Sequence, residues 1–301
     1  MKKIELNILK DIKIWEKFKN DFTYHSSAIE GSKINEKDNT KLVNNPTQKI
    51  ISQELKEYLH DEVYENRNLG IVFDKMISEL NKPFTNQMLL EWHKILKNET
   101  NWSIKYPESV GKFRKMNVDV GDSVNFALSF EFISENMKNF IDDINYPRNM
   151  TIDDVAEFHC RFERIHPFLD GNGRIGRLIM LKQCIENNIT PFIINNNTKD
   201  EYINSMKMYH QTGLWSSLLE YCKKQQQIFK FTYMTYEHYD ERITNIISYL
   251  NKHKSINRNK IEKMFNIRRT AALFLINKLL KNNIIVSLNS GRHQVYILKI
   301  K

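Results

Sequence analysis

Apolar residues return at helical intervals along nearly the whole chain, and this period restricts the fold more than any other feature. Leu89, Leu90, Trp92, His93 and Leu96 keep one face of a helix apolar, and Ile243, Ile246, Ile247 and Leu250 repeat the pattern at i, i+3, i+4 and i+7. The same reading predicts helices near 5–29, 47–80, 86–98, 129–144, 152–164, 174–187, 199–211, 214–232, 240–252, 257–264 and 268–281. Pro83, Pro107, Pro147, Pro167 and Pro191 fall at or between these segments, where helix punctuation belongs. The expectation is a mainly α protein. Its 301 residues, 41% hydrophobic and 27% charged, are enough for two globular domains.

Two stretches break the period. Residues 113–121, FRKMNVDVG, read as one arm of a short hairpin or a projecting loop. Residues 284–298 place NSGR between two β-branched runs, a hairpin signal. Charge is also uneven. Residues 241–301 hold 13 Lys and Arg against Glu241 and Glu262, a surplus of +11 in a chain of net charge +9, so the rest is near −2. No apolar run is long enough to span a membrane, and the N-terminal MKKIELNILKDIKIWEKF reads as an amphipathic helix, not a signal peptide. Cys160, Cys184 and Cys222 are odd in number and lack CxxC spacing, so they read as buried thiols of a reducing, cytoplasmic compartment.

The chemistry concentrates in HPFLDGNGRIGR, residues 166–177, which holds three of the chain's nine glycines. Helical patterns lie on both sides, so HPFLDGNG is a loop feeding a helix N-terminus. Such a terminus offers unpaired N–H groups and positive partial charge to an anion. Gly171 and Gly173 allow successive N–H groups to turn inward, and Arg174 and Arg177 lie on neighbouring positions of the first turn. Two guanidiniums beside such a nest suit a polyphosphate. Asp170 suits a magnesium ligand, and His166 suits a base that takes a proton from a hydroxyl. Together these groups point to phosphoryl or nucleotidyl transfer. GNGRIG does not follow a strand, which argues against a dinucleotide fold, and no GxxxxGK[ST] is present.

The same twelve residues match HxFx[DE]GNGRxxR, the signature of the Fic (Fic/Doc) family, at every specified position, with FERI before it. The resemblance runs from about residue 20 to about 230. It implies an all-α bundle with a small β-hairpin flap, and transfer of AMP from ATP to a hydroxyl side chain of a target protein, with Mg²⁺ as cofactor. It implies that His166 is the general base and that Asp170 holds Mg²⁺. Phe168, Gly171, Asn172, Gly173, Arg174 and Arg177 would form the nucleotide site, with Arg174 near the β-phosphate and Arg177 on the γ-phosphate. Residues 111–123 resemble the flap that pairs with the target by strand addition, with Phe113, Val118, Asp119 and Val120 as contact candidates. Tyr202 and Tyr209 are candidates for the adenine pocket, although core packing accounts for them equally well.

A second motif, SSAIEG at residues 26–31, resembles the family's regulatory signature [ST]xxxE[GN] through Ser26, Glu30 and Gly31. Its position ahead of the catalytic motif implies an inhibitory N-terminal helix in which Glu30 pairs with Arg177 and displaces the γ-phosphate. The basic tail resembles a winged helix-turn-helix, in order helix, helix, helix, hairpin, with Arg268, Arg269 and Arg292 as candidate DNA contacts. Docking to protein is the competing use of that module. The expected organisation is an N-terminal helix with the inhibitory motif at 1–45, a catalytic domain at 46–232 and the winged helix at 233–301. The expected partners are a target protein bearing a hydroxyl side chain, DNA through the C-terminal module and a second copy in a homodimer, with no membrane. Two other functions are open: a DNA-binding regulator with a nucleotide-sensing body, and an enzyme that removes AMP.

Overall fold

The computed structural model describes residues 12–46, 55, 57–119, 127–234, 241–281, 284–289 and 294–299. The helices are α1 (Ile12–Ile29), α2 (Glu36–Asn44), α3 (His60–Ser78), α4 (Asn86–Leu96), α5 (Asn101–Lys105), α6 (Ile133–Asn145), α7 (Ile152–Ile165), α8 (Asn172–Glu186), α9 (Lys199–Thr212) and α10 (Ser216–Phe229). A basic unit follows: α11 (Glu241–His253), β1 (Ile256–Asn257), α12 (Arg258–Phe265), α13 (Arg269–Lys281), β2 (Ile285–Ser287) and β3 (Val295–Leu298). Two short helices were not anticipated. In α2 only Leu42 and Val43 are apolar, too few to show a period, and the helix starts on Asn35, whose side chain accepts from the Asp38 N–H at 2.9 Å. In α5 the start is again a cap, with Thr100 accepting from the Ser103 N–H at 3.0 Å. The expected helical residues 47–54 lie outside the described residues.

One core joins α1, α3, α4 and α6 to α10 and holds Phe18, Phe73, Trp92, Phe140, Phe158, Phe162 and Leu178, all fully buried. Helix α1, which leads into the SSAIEG motif, is part of this core. Phe18 of α1 lies 5.4 Å from both Phe229 and Tyr233, edge to face, and 6.2 Å from Phe73. Helix α8 runs through the middle, buried on all sides from Ile175 to Ile185. Its cations are therefore buried too, and each must be paired. Lys182 donates to the Lys82 carbonyl at 2.9 Å and pairs with Glu186, while Arg174 and Arg177 pair across the molecule.

A second core, built on Ile246, Leu250, Ile261, Leu275, Ile276 and Leu279, belongs to the C-terminal unit. There β3 pairs antiparallel with both β1 and β2, with Val286 opposite Ile297 and Ile256 opposite Tyr296. The hairpin expected over 284–298 thus pairs as β2 and β3; most of its turn, with Arg292, lies outside the described residues. Of the two readings of 113–121, a hairpin arm or a projecting loop, the described residues 113–119 fit the loop, since they contain no strand. Arg114 ties this segment down. Its Nε donates to the His166 carbonyl at 2.8 Å, Nη1 donates to the Met116 carbonyl at 2.7 Å, and Nη2 donates to the Leu128 carbonyl. These carbonyls are drawn onto one guanidinium. Val120 lies outside the described residues. Among those residues, no helix is long and apolar enough to cross a membrane, and all three cysteines are free and buried.

Candidate functional site

The site grows from the turn between α7 and α8. Helix α7 begins in a capping box, in which Thr151 and Asp154 satisfy each other's backbone N–H groups. It ends at His166 in the left-handed region, φ 49°, an uncommon conformation for a residue with a side chain. Three contacts impose it. The His166 N–H donates to the Phe162 carbonyl at 2.9 Å, its own carbonyl accepts from Arg114, and the next carbonyl, Pro167, accepts from the Arg114 N–H at 2.8 Å.

The loop after His166 is tied from inside. Asn172 Oδ1 accepts from the Phe168 N–H and Nδ2 donates to the Phe168 carbonyl, both at 2.9 Å. Phe168, expected among the nucleotide-binding residues, is fully buried and stacks on His93 at 4.2 Å with rings 2° from parallel. His93 in turn receives the Gly111 N–H at Nδ1 (2.9 Å), so its Nε2 donates to the Asp170 carbonyl at 3.0 Å. Burial, and Lys97 nearby, lower the His93 pKa to about 3, which keeps this tautomer neutral. Gly171 then turns the chain with φ 86°, and a Cβ there would press on Leu96 at 3.1 Å.

Helix α8 begins at Asn172, and the open N–H groups of its first turn face a cluster of charge. Arg174 pairs with Glu65, Glu65 also pairs with Lys97, and Lys97 pairs with Asp170. Asp170 further accepts the Gly171 N–H at 2.6 Å. Burial opposes ionisation of Asp170, but Arg174 and Lys97 outweigh it and bring its pKa to about 2. Lys97 and Glu65 were not singled out in the sequence. Lys97 looks like an ordinary basic residue at the end of α4, yet it is wholly buried.

The other guanidinium, Arg177, is taken by α1. Its Nη2 donates to Glu30 Oε1 at 2.7 Å and to the Ser26 carbonyl at 2.8 Å, and its Nε donates to Ser26 Oγ at 2.8 Å. Glu30 lies against the backbone of α8 so closely that a Cβ on Gly173 would strike Glu30 Oε1 and stand 2.9 Å from Arg177 Nη1. Burial raises the Glu30 pKa, but Arg177 and then Arg174 outweigh it, and the net direction is down. An ionised carboxylate thus sits where the N-terminus of α8 and two arginines offer positive charge. Gly31, at φ 100°, ends the segment.

His166 stands beside this cluster with its side chain 16% exposed. Its Nδ1 faces the Glu163 carbonyl at 3.2 Å; a carbonyl only accepts, so Nδ1 carries the hydrogen and Nε2 keeps its lone pair. Burial lowers the His166 pKa to about 4, against the opposing pull of the Glu163 carbonyl, so the ring is neutral at neutral pH with Nε2 open to a proton. Phe113 lies 5.7 Å from Phe168, half-buried beside the loop, and Val118 and Asp119 follow it outward. Tyr202 and Tyr209 are both buried. The Tyr202 hydroxyl is hydrogen-bonded to His159 Nε2 at 2.7 Å inside the core, and Tyr209 lines a groove with Leu128, Arg161 and Arg164 on the outer side of α7. Arg268 and Arg269 are exposed at the start of α13.

Parts of this chain resemble known proteins. Residues 83–184 match the model of the Fic/DOC family. "Protein adenylyltransferase fic-1" of Caenorhabditis elegans is 26% identical over 189 residues, which is 62% of this chain and 35% of that one. The chain therefore spans about a third of the length of that relative. "Probable protein adenylyltransferase aq_aa38" of Aquifex aeolicus (strain VF5) is 40% identical over 68 residues, 21% of each chain. Among solved structures, a Fic domain-containing signaling protein from Bacteroides thetaiotaomicron superposes with TM-score 0.61 at 19% identity, over 74% of this chain and 90% of the other. Fic-1 from C. elegans superposes at 0.60 and 21% identity, over 77% of this chain and 66% of that one. Residues 83–184 thus resemble the Fic/DOC family, and the chain shares a mainly helical fold with these solved structures.

Proposed function

We propose that this chain, with its Fic/DOC domain, is a protein adenylyltransferase that moves AMP from ATP to a Ser, Thr or Tyr hydroxyl of a target protein, and that Glu30 holds it inactive. The triphosphate takes the N-terminus of α8, where N–H groups near Gly171 and Gly173, with Arg174 and Arg177, cradle its oxygens. His166 Nε2 takes the proton of the target hydroxyl, the freed oxygen bonds to the α-phosphorus, and the bond to pyrophosphate breaks. The donor set around Asp170 fits Mg²⁺: one ionised carboxylate, its side chain 44% exposed, beside a phosphate seat. Bound there, the ion would neutralise phosphate charge. The target segment lies along residues 113–119, brought against the catalytic loop by Arg114. The buried thiols fit a cytoplasmic protein.

The observation that carries this reading is the clamp of Ser26 and Glu30 on Arg177. The carboxylate occupies a place built for phosphate, so ATP binding in a productive pose requires its departure. Substitution of Glu30 by Gly is expected to raise self-modification strongly, read as a mass increase of one AMP group after incubation with ATP and Mg²⁺. His166→Ala in the same background is expected to abolish it. An unchanged mass in the Glu30→Gly protein, or label that persists without His166, contradicts the proposal.

The C-terminal unit reads best as a winged helix-turn-helix that contacts DNA through the start of α13. Its order of elements, its own core and the exposed Arg268 and Arg269 support this reading.

A further inference from the structure

One buried carboxyl group has no part in the chemistry above. Glu163, on the last turn of α7, has its side chain 12% exposed, and its Oε1 has no hydrogen-bond partner among the described residues. Its Oε2 stands 3.7 Å from His166 Nδ1. Room for it is made by Gly176 of α8, where a Cβ would lie 2.6 Å from Glu163 Oε1. A buried carboxyl without a full set of partners is costly, and the imidazole of the proposed base stands close to this one.

We propose that Glu163 is the positioning residue of His166, its Oε2 facing the Nδ1 edge of the ring and countering the positive charge the ring acquires when Nε2 takes the target's proton. This inference rests on the function proposed above. The step balances: the hydroxyl proton moves to Nε2, the hydroxyl oxygen bonds to the α-phosphorus, pyrophosphate leaves with the electron pair of the broken bond, and the imidazolium retains Nδ1–H toward Glu163. A cation left in this buried place without a counter-charge would disfavour the transfer.

Glu30 bears on the same group. Burial raises the Glu163 pKa to about 8, opposed by Arg177 and reinforced by Glu30. The other groups that face it are His159 and Cys160 on its own helix and Tyr202 from α9, which are neutral at physiological pH. With Glu30 docked, Glu163 is mostly protonated at pH 7 and offers no counter-charge. Departure of Glu30 removes a like charge and favours ionisation. The inhibitory carboxylate therefore acts twice, on the phosphate seat and on the partner of the base.

The test is the pH dependence of AMP transfer by full-length Glu30→Gly protein, compared with the Glu30→Gly/Glu163→Gln and Glu30→Gly/Glu163→Asp proteins. In the parent, kcat should rise with pH as Glu163 ionises. The Gln variant should lose that limb, fall by about tenfold or more in kcat, and keep its KM for ATP. Asp should restore most of the rate and the limb. A Gln variant with the parent's profile and kcat overturns the inference alone, as does an Asp variant that loses as much as Gln, since that marks a packing role. A Glu30→Gly protein that transfers no AMP defeats the proposed function and this inference with it.

Discussion

Four buried side chains at the site fix how stability should respond to pH. His93, His159 and His166 have folded pKa values of about 3, 3 and 4, each below the ordinary value of 6.5 because burial disfavours the cation. The unfolded chain binds their protons first. Their contribution is thus complete above pH 6.5 and is lost as pH falls toward 4, at about 1.4 kcal/mol per pH unit for each histidine once the pH is well below 6.5. Glu163 acts in the opposite sense. Its folded pKa of about 8 lies above the ordinary 4.5, so its protonated form stabilises the fold at acid pH and that contribution is lost as pH rises through 8. Stability measured by urea unfolding should peak near neutrality and fall on both sides, more steeply toward acid. A stability that is flat from pH 7 to pH 5 contradicts the neutral, buried state of these histidines.

Helix α1 carries the motif proposed to be inhibitory, and its grip on Arg177 depends on how firmly it is packed. Phe18 is the anchor, fully buried among Phe22, Phe73, Phe229 and Tyr233. Phe18→Ala should cost about 3–5 kcal/mol and loosen the helix, so it should lower the melting temperature and raise self-modification together. A protein that melts lower but stays silent would show that Glu30 keeps its seat without the aromatic anchor. The helices were legible where their apolar period is strong, as in α4 of this body and α11 of the C-terminal unit. The turn at residues 166–177 stood out because its residues are consecutive, and the pairing of Glu30 with Arg177 could be expected because the motif that holds Glu30 is local. What could not be read was long-range pairing. Lys97, Glu65 and Arg114 look like surface charges in sequence, and only the approach of α3, α4 and the 111–119 segment to α8 makes them buried partners. The missed helices α2 and α5 depend on caps at Asn35 and Thr100, single residues that a periodic reading does not weigh.

The whole molecule joins two bodies of different charge. The helical body is near neutral, and residues 241–301 carry the surplus of +11. If the C-terminal unit holds duplex DNA through α13, replacing Arg268 and Arg269 by Glu should abolish binding that is seen at low salt, and binding by the unaltered chain should weaken steeply as salt rises. Self-modification by the Glu30→Gly protein should be unaffected, because those exposed residues lie on a unit with its own core. Absence of duplex binding by the unaltered chain at low salt would favour a protein-docking role.

The account depends most on where the triphosphate sits. The direct measurement is a crystal structure of the Glu30→Gly protein with Mg²⁺ and a non-hydrolysable ATP analogue. The account predicts the phosphates at the N-terminus of α8, the outermost on Arg177 in the place of the Glu30 carboxylate, and the innermost beside His166 Nε2. A nucleotide seated away from that turn, or an empty site at saturating analogue, would contradict it.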